Sequence, residues 1–322
     1  MKRSAQLVLA GTVAVAIPAY GHHSDAGYNR DSLVVFEAEV TRYIFRNPHV
    51  TLMVETEDAS GQTVEWEIET GSTPIMQRSG WSRDLVEVGD TVIIRAHPER
   101  TGRRRAILNT MEIADGSLWM QIEEDAQATV AAENLNGVWK GITSTSLGRQ
   151  VRQAALTPAG QSARDSYNPI EEDPNNQCIP NPPPFHVSSG NYLTGIEMLD
   201  DRIIIRSEFF DALRTVWMDG RGHPETAEPT VQGHSIGHWE GDTLVVDTIH
   251  LAEHRDGNGG GVPSSRERHV IERFSLSEDG TRALVDVYIE DPVYLEEPFS
   301  GHTEMMFVPH LQLYRYDCVV VE

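Results

Sequence analysis

Short stretches of alternating apolar and polar residues, each closed by a turn signal, run through most of this chain and commit it to an all-β fold. In the first half, Leu33 to Phe45, His49 to Glu57, Val64 to Glu69, Thr91 to His97 and Ala106 to Ile113 predict five strands. A helix-sized insertion, Thr73 to Ser79, falls before the fourth. In the second half the strand-like segments are Gly195 to Leu199, Arg202 to Phe209, Leu213 to Met218, Ser235 to Glu240, Thr243 to Ile249, Arg268 to Ser275, Arg282 to Ile289, Gly301 to Phe307 and Gln312 to Val320. Asp-Asp, Asp-Gly and Glu-Gly-Asp turns separate them, which predicts an antiparallel meander closing on itself. Gln153 to Arg164 reads as a helix, Asn175 to Phe185 with its prolines as a rigid irregular loop, and Asp256 to Gly261 as a mobile loop near a barrel mouth.

A chain of 322 residues is long enough for two domains. Five strands with that insertion resemble a small barrel of the oligonucleotide/oligosaccharide-binding type. The Gly137-Val138-Trp139 opening of the second half is similar to lipocalin-like barrels, in which the tryptophan plugs one end. The expected architecture is a leader over 1–21, an OB-like barrel over 22–116, a polar linker over 117–135 and a calycin-like antiparallel β-barrel over 136–322.

The leader follows from Lys2 and Arg3, an apolar run from Leu7 to Ala19, and small residues at Ala19 and Gly21. This predicts a secretory signal cut before His22 and a periplasmic or secreted product. No later apolar stretch reaches membrane-spanning length. There are 49 acidic against 26 basic residues, and losing Lys2 and Arg3 takes the net charge from −23 to −25. Nucleic acid is thereby disfavoured as a partner, because its phosphates would be repelled. Protein partners are not legible. In an oxidising compartment the two cysteines, Cys178 and Cys318, are expected to pair, tying the proline-rich loop to the last strand; a catalytic thiol is the alternative.

Cleavage before His22 leaves an α-amino group beside an imidazole, with His23 next to it. Such a chelate suits copper(II), which favours tetragonal nitrogen donors. A cut after Ala19 would instead put His22 third from the amine, also a copper-favouring arrangement. The best distant ligand is His49, because Pro48 stiffens the Asn47-Pro48-His49 turn and lowers the cost of ordering the site. His97, also followed by proline, is the alternative. A frayed terminus with His49 merely ending a turn is the competing reading.

The second half carries His223, His234, His238, His250, His254 and His269 among Asp219, Glu240, Asp247 and Glu272. On a strand, His234 and His238 share one face. If that face lines the interior, the pair could exchange protons with a ligand, Asp219 or Glu272 acting as carboxylate partner. Arg214 and Arg221 offer a planar two-bond fit to a carboxylate, and Trp217 and Trp239 offer apolar walls. Trp239 to Asp242 also reads as a plain hairpin turn.

The His22-His23-Ser24, Asn47-Pro48-His49, Gly80-Trp81 and Gly89-Asp90 pattern resembles an exported bacterial domain family of unassigned function. The second half, through Trp217 to Arg221, Gly233 to Thr248, Glu272 to Phe274 and Asp291-Pro292, resembles another uncharacterised exported family. That second family usually places a glycine-phenylalanine pair after its aspartate-threonine, where this chain has Ile249-His250-Leu251. Neither resemblance implies an activity. The sequence therefore points to an exported binding protein for a small apolar or amphiphilic molecule, with a copper-type site at its processed start. The alternative is an enzyme performing acid/base chemistry (isomerase, cyclase or hydrolase) inside the second barrel.

Overall fold

The computed structural model describes residues 27–121, 130–142, 146–187 and 190–320. The first unit contains β1 (Val34–Ile44), β2 (Thr51–Glu57), β3 (Thr63–Glu69), α1 (Thr73–Arg78), β4 (Thr91–Pro98), β5 (Arg105–Glu112) and β6 (Leu118–Trp119). Its strands follow the order β3-β2-β1-β4-β5-β6, and a parallel pairing of β3 with β5 closes five of them into the OB-like barrel. Alternation does the sorting: Leu52 and Val54 of β2 and Ile94 and Ala96 of β4 point inward and are fully buried. Pro74 starts α1, and Met76 on that short helix joins the barrel core.

The second unit comprises β7 (Gly137–Gly141), α2 (Ser146–Gln153), α3 (Pro158–Asp165), α4 (Pro169–Glu172), β8 (Leu193–Met198), β9 (Arg202–Ser207) and β10 (Leu213–Trp217). It continues with β11 (His234–Glu240), β12 (Thr243–Ile249), β13 (His254–Gly259), β14 (Val262–Ser264), β15 (His269–Leu276), β16 (Arg282–Glu290) and β17 (Phe299–Phe307). Nine of these strands form a closed barrel. Trp139 is wholly buried in its core, where its indole N–H donates to the Leu135 carbonyl at 2.9 Å. Between β11 and β12 the loop is a two-residue turn, with Gly241 at φ +61° supplying the conformation an L side chain resists.

Four expectations need correction. Closure is not purely antiparallel: β10 meets β11 in a short parallel pairing, because the connection over 218–233 carries the chain back along the sheet. The predicted helix 153–164 is shortened to α3, which Pro158 starts, because 154–157 is not helical and Gln153 is the last residue of α2. Gln312 to Val320 is not a strand, since β17 already pairs with β7 and leaves no edge for it. The glycine-rich stretch 256–261 belongs to the β13–β14 hairpin, with Gly259, Gly260 and Gly261 all at positive φ in its turn.

The tail instead crosses to the small barrel. Asn47, fully buried, donates to the Tyr316 carbonyl and to Thr73 Oγ1, while its own oxygen accepts from the Thr73 amide. Arg78 of α1 reaches Glu208, just past β9, at 2.6 and 2.7 Å. The Cys178–Cys318 disulfide is formed and pins the tail's end.

Candidate functional site

The two units meet around a cleft of about 710 Å³, and a second cavity of about 320 Å³ adjoins it; Pro48 and His49 line both. The large barrel contributes an aromatic wall. Tyr192, Phe209, Phe210 and Tyr316 pack with ring centroids 4.4 to 5.8 Å apart around the set. Phe210 has φ +54° and Asp211 φ +52°, a left-handed conformation costly for a bulky side chain. It is held by Asp211, whose carboxylate accepts from the Tyr316 and Asp317 amides at 2.9 and 3.0 Å. Burial pushes the Tyr192 and Tyr316 hydroxyls above their ordinary pKa, so both stay neutral donors.

The small barrel contributes a histidine with a fixed tautomer. His49 Nδ1 lies 3.0 Å from the Thr70 carbonyl, which can only accept, so this nitrogen carries the proton. Glu69 Oε1 stands 3.2 Å from the same nitrogen. The other Glu69 oxygen accepts from the Tyr28 hydroxyl at 2.8 Å, with Arg105 3.6 Å away. Burial and the Glu69 charge raise the Tyr28 pKa, keeping that donor protonated. That leaves Nε2 as the ring nitrogen of His49 open to a ligand or a cation. A carbonyl or carboxylate behind a ligating histidine has this orienting effect at metal sites generally.

A second polar assembly lies inside the large barrel. Arg214 of β10 and Glu272 of β15 form an ion pair with 1% and 0% side-chain exposure. His186, in the 3-10 turn Phe185–Val187, and Arg268, just before β15, are equally buried. Burial and the Arg214 charge hold His186 well below its usual pKa, so it is neutral. Burial likewise brings Arg268 down to about 10. Arg268 Nε donates to Asn258 Oδ1 at 3.0 Å, and Asn258 in turn donates to Asp291.

The four residues expected to act together in acid/base chemistry are not assembled. Ser235 and Thr248 fill the inner side of β11 and β12, fully buried with their hydroxyls 2.8 Å apart, so His234 and His238 point outward. His238 is exposed and faces Glu240 at 3.2 Å. Asp219 pairs with Arg221 in an exposed loop, and Arg221 stacks over Trp217 at 3.8 Å. Trp239 is exposed. Glu272 alone is inside, so the barrel wall separates it from the other three. Of the expected ligand-binding residues, Arg214 is interior while Arg221, Trp217 and Trp239 are not.

Outside that wall His234 joins a different chain of contacts. His269 Nε2 and His223 Nε2 lie 2.8 and 3.3 Å from Asp247 Oδ1, and His223 Nδ1 lies 2.9 Å from His234 Nδ1. The His269 hydrogen bond holds Asp247 below its ordinary pKa, and Asp247 raises His269. His234 is lowered by burial and by its histidine neighbours. Among the described residues no group of three or more His, Cys, Asp or Glu side chains could hold a metal ion. His22 and His23 lie outside the described residues, as does the predicted leader; no helix among those described is long and apolar enough to cross a membrane. The NPH turn was the one legible marker of the cleft. Tyr28, Glu69, Phe210, His186 and Arg268 carried no sequence signal of their own.

Residues 10–109 match a family of unknown function, DUF6152, which takes in most of the small barrel and stops before the large one. No curated protein matches the chain. Among solved structures the chain is similar to one described as the crystal structure of a point mutant of the fluorescent protein UnaG, with 11% identity over 54% of this chain and 95% of that one, at a TM-score of 0.28.

Proposed function

We propose that this is an exported binding protein that takes a small amphiphilic molecule in the cleft between its barrels, beside a copper-type cation held by the processed amino terminus and His49. The observation that carries this reading is His49 itself. Its Nδ1 is occupied by Thr70 and Glu69, and the nitrogen left over belongs to a side chain lining two adjoining cavities. A cleft of this size is typical for a small ligand, and aromatic walls with a few polar groups are the usual lining. The Cys178–Cys318 bridge supports an oxidising compartment.

The cation reading has its own support. Tyr28 hydrogen-bonds Glu69, which touches His49, so the described chain begins beside the proposed ligand. From Tyr28 back to His22 an extended chain reaches up to about 20 Å. Any metal here needs those leading residues, because the described ones do not make a site unaided.

Copper(II) titration of protein beginning at His22 tests this, set against protein with one extra residue before His22 and against His49→Ala. Each change should weaken copper at least about tenfold, the loss of one nitrogen donor. Equal affinity in all three would refute the chelate. For the organic ligand, mass spectrometry of small molecules released from purified protein, with and without Phe210→Ala, should show a compound that the variant loses. A compound retained by the variant would place the binding elsewhere.

A further inference from the structure

The interior of the large barrel holds more hydrogen-bond donors than the described residues satisfy. Arg214 uses Nη1 on Glu272, yet its Nε and Nη2 have no partner among the described residues. Arg268 uses Nε on Asn258, yet both of its terminal nitrogens are unpartnered among the described residues. Both ring nitrogens of His186 and one oxygen of Glu272 are in the same position. All four side chains are at least nine-tenths buried, and geometry brings them together: Arg214 pairs with Glu272, Arg268 and Glu272 share one face by the period of two, and the Arg268 guanidinium lies 6.0 Å from the ring centroid of Phe185, the residue before His186. Native interiors rarely leave guanidinium N–H groups unpaired, because each forfeits hydration without compensation.

We infer that this end of the barrel is a second binding site, for a carboxylate on an apolar body, with Arg214 and Arg268 gripping the carboxylate. The donor excess calls for an acceptor-rich group, and a carboxylate matches a guanidinium fork with two parallel bonds. Unpartnered Glu272 oxygen and His186 nitrogen add capacity for a neighbouring hydroxyl or amide on the same molecule. The apolar body follows from the next positions on the same inner faces, Val216 after Arg214 and Phe274 after Glu272, both fully buried. The site is separate from the cleft and does not rest on the reading given to it.

Decanoate, decanol and inorganic phosphate titrated calorimetrically into the full-length protein separate the possibilities. Decanoate should bind at least about tenfold tighter than decanol, since hydrogen bonds to a charged group are at stake. It should also bind tighter than phosphate, which lacks the apolar body. Equal affinity for decanoate and decanol, phosphate as the tightest of the three, or no binding at all would each overturn the inference. A diazirine-bearing decanoate, photolysed on the wild-type protein and mapped by peptide mass spectrometry, should label β10, β15 or residues 185–187. Labels confined to residues 46–49 or 209–211 would assign the carboxylate to the cleft and refute a barrel site. The paired variant Arg214→Leu/Glu272→Leu removes both charges together and should erase the preference for decanoate over decanol. If that variant does not fold, the photolabel on wild type decides.

Discussion

Arg78 and Glu208 join the two barrels, and their geometry makes removal of either one expensive. One guanidinium nitrogen reaches both Glu208 oxygens at 2.6 and 2.7 Å, and the side chains are 8% and 0% exposed. Glu208 also accepts from the Leu193 and Tyr314 amides at 3.0 and 2.9 Å, and Arg78 donates further to the Asn191 carbonyl at 3.1 Å. Burial raises the Glu208 pKa, and the Arg78 charge opposes that rise. Replacing Arg78 by Met keeps the bulk and strands a carboxylate out of water. Breaking a buried pair this way costs about 3–5 kcal/mol, whereas replacing both charges by apolar groups is often close to neutral. Arg78→Met should therefore lose about 3–5 kcal/mol, and the double variant Arg78→Met/Glu208→Leu clearly less than the two single variants combined. Urea denaturation read by circular dichroism and tryptophan fluorescence supplies the four free energies of the cycle. The sign with pH follows from Glu208. Its folded pKa lies above the unfolded value and rises further without Arg78, so the folded variant gains a proton before the unfolded chain does. The deficit of Arg78→Met should accordingly shrink as pH falls from 7 toward 5. A loss below about 1 kcal/mol, or a coupling energy near zero, would show that the pair is a bystander and that the reasoning about its burial is wrong.

Burial pushes His254 down to about 4, so on acidification the unfolded chain takes up a proton near 6.5 that the folded protein refuses. Wild type should lose about 3 kcal/mol relative to His254→Gln between pH 7 and pH 4, measured by denaturation across that range. On the outer face the hydrogen bond to Asp247 raises His269, a contribution present below the unfolded pKa and lost as pH rises through the folded one. Asp247→Asn should thus cost more at pH 5.5 than at pH 8, and an NMR titration should show His269 returning to an ordinary value; an unmoved titration would count against the pairing. The disulfide closes a loop with a sequence separation of 140, for which the chain-entropy model gives about 5 kcal/mol. Reduction should lower the urea midpoint and, by freeing Tyr316, weaken whatever the cleft binds, as followed by competition titration with and without reductant.

Strand positions were legible because alternation is a local property. The expected limits of β1, β4, β12 and β16 stand within a residue or two of those observed, and both barrels emerge as expected. Alternation could not reveal what an individual segment meets. Gln312 to Val320 has the pattern of a strand, yet the pairing of β17 with β7 consumes the edge it would have joined. The parallel closure of β10 on β11 was hidden by the long connection between them, which carries no periodicity. His234 and His238 show the same limit within one strand. The period of two puts them on a common face, but the choice of inner face is made across the barrel. A side chain at Gly237 would approach Met218 and Val216 to 2.6 and 2.8 Å, so the glycine and Ser235 face the crowded interior and the histidines face out.

The candidate sites divide along a similar line. His49 stood out because a proline stiffens its turn, but its orienting partners, Glu69 and Thr70, sit at the end of β3 and just beyond it, where no motif marks them. Arg214 and Glu272 were both expected to matter, one for binding and one for catalysis. Inside a closed barrel those roles are not independent, since each charge is tolerable there only because the other is present. Glu272 is therefore poorly placed as a free base, and Arg214 has only its remaining N–H groups to offer a ligand. The cleft required still more of the chain to become visible. Its aromatic wall depends on Tyr316, and Tyr316 is positioned by Asn47 from one barrel, by Asp211 from the other, and by a disulfide two residues further on. Each half taken separately contains only part of that arrangement. The tail fastens the two barrels together, so under the reading proposed above a ligand in the cleft should stabilise both against unfolding rather than either one alone.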